Sequence, residues 1–101
     1  MQPRTVLIPL FDGVQSLDVT GPLEVFAAAG DHAVASGQGD PGYRVITASL
    51  GGGPVRCDSG LRLLPAENLR LLSGTSVDTL VVPGGPSVTL APPELIEWLR
   101  R

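Results

Sequence analysis

The sequence predicts an α/β fold, a mostly parallel sheet covered by helices on both faces. Short apolar runs, RTVLIPLF (residues 4–11), YRVITAS (43–49) and DTLVVP (78–83), read as buried strands. Helical stretches, LEVFAAA (23–29) and PPELIEWLRR (92–101), follow the first and third of these runs. Strands that alternate with helices, with no polar face of their own, are the grammar of a sheet buried on both sides.

Each element has its own justification. The first strand, Arg4–Phe11, ends at the turn signal Asp12-Gly13, and Pro9 is the one residue that argues against it. The helix over Leu23–Ala29 ends at Gly30 as a glycine stop would end it. Its start has two solutions. Thr20 caps and Pro22 opens the helix, or Ser16 caps, Asp18 lies in the first turn and Pro22 kinks it. His32–Gly42 is polar and glycine-rich, a surface loop, and Tyr43–Ser49 alternates as a second strand. In GGGPVRCDSGLRLL (51–64), Pro54–Cys57 and Leu61–Leu64 flank Asp58-Ser59-Gly60, which predicts a hairpin. Ala66–Leu72 has the length of a helical turn or two. Asp78–Pro83 is a strand broken by Gly84-Gly85-Pro86. The last helix enters through prolines, groups Leu95, Trp98 and Leu99 on one face, and pairs Glu97 with Arg101.

Composition excludes several function classes. With 101 residues, 43% apolar and 17% charged, the chain is expected to be one small globular domain or part of one, and its start MQPRTVLIPL lacks the apolar core and small-residue cleavage site of a secretory signal. A cytoplasmic home with no membrane association is the default. Net charge is −3, and the seven basic residues, all arginine, are scattered, so this segment is not expected to bind nucleic acid. The only cysteine, Cys57, and the only histidine, His32, leave no metal-ligand set and no intrachain disulfide. No Walker loop or GxGxxG motif is present, so no cofactor is expected.

Two positions stand out as candidate site residues. Asp18, between Leu17 and Val19, lies just past the carboxyl end of the first strand, where open α/β sheets bind ligands. The helix N-terminus favours its ionised form and apolar neighbours the neutral one, the condition of a proton donor or acceptor. The structural alternative, an acid that complements the helix dipole, is favoured by residue type alone. Gly84 and Gly85 end a buried strand, where glycine lets backbone N–H groups approach an anion; the alternative is a plain tight turn. Cys57, ahead of a hairpin turn, reads as a packing residue, His32 as solvated and Trp98 as core.

Three stretches, VLIPLFDGVQSLDVTGPLEVF (6–26), GGPVRCDSGLRLLP (52–65) and DTLVVPGGP (78–86), resemble the DJ-1/PfpI superfamily, whose domains are similar to class I glutamine amidotransferases. The resemblance implies a flavodoxin-like three-layer α/β/α sandwich, of which these residues are the N-terminal part of a single domain. Within that superfamily the wording resembles the amidase-like, ligand-sensing domain of AraC-type transcriptional regulators. It is also similar to isonitrile hydratase, which adds water to an isonitrile to give a formamide. The resemblance implies that Asp18 is the acid facing a nucleophilic cysteine, that Gly84 and Gly85 line the same pocket, and that the helix entered through Gly21 and Pro22 begins before Pro22. The family's cysteine follows the PPELIEWLRR helix, and Cys57 in the hairpin does not replace it. A chain ending at Arg101 is therefore expected to be catalytically silent and to leave apolar sheet surface open to aggregation or a homodimer, while the resemblance implies a small-molecule ligand as the domain's partner.

Overall fold

The computed structural model describes residues 2–72, 74–85 and 93–100. Strand β1 (Arg4–Leu10) leads through the Asp12-Gly13 turn into helix α1 (Ser16–Ala35), and β2 (Tyr43–Ser49) follows. A 3-10 turn at Leu50–Gly52 precedes the short strands β3 (Val55–Arg56) and β4 (Arg62–Leu63). Then come β5 (Glu67–Asn68), a 3-10 turn at Leu69–Leu72, β6 (Thr79–Leu80) and helix α2 (Pro93–Leu99). The main sheet has four strands in the order β5-β2-β1-β6, every described pairing parallel, while β3 and β4 form a separate antiparallel hairpin.

β1 is the centre of the molecule because it is apolar on both faces. Val6, Leu7, Ile8, Pro9 and Leu10 are all buried, so neither side of the strand is left to water. The register Leu7↔Ile46 and Ile8↔Thr47 sorts the two faces. On the face of Arg4 and Ile8, Tyr43 meets Phe26 of α1 edge-on, with ring centroids 5.2 Å apart. On the opposite face, Leu7 shares a groove with Trp98 and Leu99 of α2. One helix therefore lies on each side of the sheet. This is the three-layer α/β/α arrangement the sequence predicts, with Leu95, Trp98 and Leu99 turned inward as a group.

Of the two starts the sequence left open for α1, the earlier one is found, with Asp18 in the first turn and Pro22 inside the helix, while other boundaries differ for physical reasons. α1 runs from Ser16 to Ala35, with Gln15 in the capping position. Thr20 does not cap; its hydroxyl donates to the Ser16 carbonyl one turn earlier, and Pro22 lies inside the helix. Gly30 is not a stop. It is buried where the helix crosses β2, and a Cβ there would lie 3.0 Å from the Tyr43 nitrogen. His32 is exposed as expected, but in the last helical turn rather than a loop. Ala66–Leu72 is a two-residue strand and a 3-10 turn, because the Ala66 amide donates to the Thr47 carbonyl and extends the sheet.

β6 is only two residues long, although Asp78–Pro83 reads as six residues of strand. The Val81 amide still donates to the Leu7 carbonyl at 2.9 Å, and the next β1 residue facing that way, Pro9, has no N–H to continue the ladder. Arg70 then ties the second 3-10 turn to α2 through a bidentate pair with Glu94, at 2.6 and 2.9 Å. That bond holds the Glu94 carboxyl below its ordinary range. The expected Glu97–Arg101 pair and Pro86 lie outside the described residues, as does Pro92 at the helix entrance.

Candidate functional site

The strand order places a crevice before any side chain is considered. From β1 the chain crosses to β2 on one side, and later returns to β6 on the other. The direction of winding therefore reverses at β1, and the carboxyl ends of β1 and β6 flank a topological switch point. The β1–α1 turn and the residues after β6 meet there.

The meeting is made by one peptide unit and one carboxylate. The Gln15 amide donates to the Gly84 carbonyl at 2.8 Å, and the Gly84 amide donates to Asp18 Oδ2 at 3.0 Å. Gly84 is thus bracketed by the first turn of α1, and half-buried Asp18 is pinned by one oxygen. Among the described residues no hydrogen bond engages Oδ1. Gly85 follows at a close approach no other residue permits, since a Cβ there would sit 2.6 Å from the Gly13 carbonyl oxygen. A Cβ at Gly84 would meet Asp18 Oδ2 at 3.3 Å.

A second wall comes from the β3–β4 hairpin. The Gly13 amide donates to the Arg56 carbonyl at 2.8 Å, the Arg56 amide to Asp12 Oδ1 at 3.0 Å, and the Asp58 amide to the Val14 carbonyl at 2.9 Å. These bonds lock the hairpin to the β1–α1 turn. Gln15, Ser16, Leu17, Asp58 and Ser59 line an open hollow of about 410 Å³ at the α1 entrance. Another groove, of about 490 Å³, lies elsewhere, under Leu7, Leu80, Trp98 and Leu99, and its mostly apolar lining offers little chemistry.

The structure thus brings Asp18 and Gly84 into contact and seats Gly85 against the β1–α1 turn. Gly21 and Pro22 lie inside α1, with Gly21 open on the helix surface. Pro22 has no N–H to offer the carbonyl of Asp18 four residues earlier. The Gly84 amide is already committed to Asp18, so it donates to a ligand only if that bond opens. Cys57 is packed in the core at 2% exposure, and burial pushes its thiol pKa up, the opposite of an activated nucleophile. Sequence reasoning missed Gln15 and the hairpin wall. Their contributions are backbone groups, to which side-chain motifs give no clue, although Asp12 next to a glycine was a visible turn signal.

Among the described residues no cluster of three or more His, Cys, Asp or Glu could hold a metal ion, and no helix is long and apolar enough to cross a membrane.

With this geometry in place, comparison with known proteins is direct. The model of the DJ-1/PfpI family matches residues 4–101. A Streptomyces lividans protein, described as an uncharacterized protein in the cpoL 5′ region, is 36% identical over 90 residues, covering 89% of this chain and 57% of its own. Among solved structures, an AraC family transcriptional regulator from Pseudomonas putida is 27% identical with a TM-score of 0.70, over 97% of this chain and 57% of that one. A DJ-1 superfamily protein from Salmonella typhimurium has a TM-score of 0.77 at 18% identity, over 97% of this chain and 49% of that one. Drosophila melanogaster DJ-1beta has a TM-score of 0.71 at 22% identity, over 88% of this chain and 42% of that one. The chain spans about half the length of these relatives. The family model matches nearly the whole chain, and the chain belongs to the DJ-1/PfpI family.

Proposed function

We propose that residues 1–101 are the N-terminal part of a single DJ-1/PfpI domain that serves as the ligand-sensing, amidase-like domain of an AraC-type transcriptional regulator. The observation that carries this reading is the likeness to the Pseudomonas putida regulator, at 27% identity across 97% of the chain. Asp18 is the ligand-facing residue. One oxygen is fixed by the Gly84 amide, so the carboxylate presents the other in a set direction to an N–H or O–H of a small polar molecule. Gly85 contributes by having no side chain, which leaves the backbone beside the crevice open. No cofactor is invoked, and the partner is that small molecule.

The test uses the complete protein and two assays. One is electrophoretic mobility shift on a DNA fragment from upstream of its own gene. The other measures formamide formation from n-butyl isonitrile, in which water adds across the terminal carbon. Retardation of the DNA with the isonitrile unchanged is the expected result. Formamide production without DNA binding would replace the regulator reading with an isonitrile hydratase-like enzyme.

A further inference from the structure

The contact between Asp18 and Gly84 needs the chain after β6 to leave the sheet at one particular residue. The parallel register sets what the next rung would require. Leu7 faces Leu80, and Leu7 accepts from the Val81 amide at 2.9 Å. Two residues on, Pro9 would face Val82. That rung needs an N–H on Pro9 donating to the Val81 carbonyl, and an N–H on Pro83 donating to the Pro9 carbonyl. Both donors are proline nitrogens, and neither exists. Pro9 and Pro83 are both buried, and Val81, whose carbonyl would accept in that rung, is half-buried.

We infer that Pro9 and Pro83 are positioning residues for the Asp18 site, a matched pair on neighbouring strands that deletes one rung and turns residues 82–85 across the end of β1. Without the deletion, β1 and β6 continue as a regular ladder. With it, the Gly84 peptide arrives one step past the break, where the Gln15 amide and Asp18 Oδ2 bracket it at 2.8 and 3.0 Å. Gly85 then passes over the Gly13 carbonyl. Neither proline touches a ligand in this account; both act through Gly84. The functional weight of the inference rests on the reading of Asp18 as the ligand-facing residue. Its structural content does not.

The experiment is amide NMR and hydrogen exchange on the full-length chain, comparing wild type with Pro9→Val, Pro83→Val and the double variant, each with and without Asp18→Asn. In wild type, Asp18→Asn is expected to shift the Gly84 amide resonance and speed its exchange about tenfold, the scale of one charge-assisted hydrogen bond. In the double proline variant the amides at positions 9 and 83 become protected, and the Gly84 resonance stops responding to Asp18→Asn. Amides of the β1–β2 ladder stay protected and report that the fold is intact. If the double variant does not fold, Pro9→Val alone restores one donor and is expected to weaken the Gly84 response. An undiminished response of Gly84 to Asp18→Asn in whichever of these variants folds overturns the inference. Should Asp18→Asn leave ligand response unchanged while Gly84 follows the prolines, the positioning stands and the ligand-facing role of Asp18 falls.

Discussion

At the scale of single residues, the site is built from a carboxylate and the absence of side chains around it. Gly85 is the sharper case. An added methyl there meets the Gly13 carbonyl oxygen at 2.6 Å and the Gln15 nitrogen at 3.0 Å, both backbone atoms that cannot swing aside. Gly85→Ala is therefore expected to lower stability by about 1–3 kcal/mol, the usual cost of overpacking, read as a lower urea midpoint at unchanged slope. It should also disturb the Gln15 and Gly84 amides, which an effect confined to residue 85 would leave alone. Asp18 was legible in the sequence because an acid between two apolar residues ahead of Gly-Pro asks for an explanation. Which group would satisfy it was not legible. The partner is a backbone amide 66 positions away, and no pattern of side chains encodes it.

At the scale of elements, the strands read well and the ends of the helices poorly. Val6–Leu10 and Tyr43–Ser49 were legible because burial on one or both faces leaves a direct trace in composition. The length of α1 was not, since its glycines and proline look like punctuation while serving other ends. Gly30 lets the helix lie against the backbone of Tyr43. This sets up a contest that decides a prediction. Alanine is favoured over glycine inside a helix by up to about 1 kcal/mol, yet its methyl would sit 3.0 Å from the Tyr43 nitrogen. The strand is paired to β1 along its full length and cannot easily retreat. Gly30→Ala is expected to destabilise by about 1 kcal/mol net, seen as a lower thermal midpoint, whereas a propensity-only view predicts a gain. β6 shows the reverse lesson: the run Asp78–Pro83 promises a full strand, and only two of its residues are in the sheet.

At the scale of the whole molecule, the sheet is unevenly finished. β1 is paired on both sides, while among the described residues no strand pairs the other edge of β6, with Leu80 at 42% and Val82 at 54% exposure beside it. The family fold was legible here because three separated stretches carried its wording in register, and the structure assembles the first and third at the switch point. Global stability should also carry a signature of the core. Burial raises the Cys57 thiol pKa, so the neutral thiol is favoured in the folded state. A raised folded value gives a contribution that is complete below the unfolded thiol range. It is lost as pH rises from about 8.5 toward the folded value. The urea midpoint is expected to fall on that alkaline side, and Cys57→Ala should flatten the fall while lowering the midpoint at neutral pH.

The burial of Cys57 has a kinetic consequence as well. Its amide donates to the Leu61 carbonyl at 2.7 Å within the hairpin, and the neighbouring Asp58 amide is bonded to Val14 in the β1–α1 turn. A thiol reagent can therefore reach the sulfur only when the hairpin lifts away from that turn. In residues 1–101, where Cys57 is the single cysteine, the rate of its reaction is a clock for the opening of the wall beside the crevice. A small molecule that closes the crevice would slow that clock without touching the sulfur.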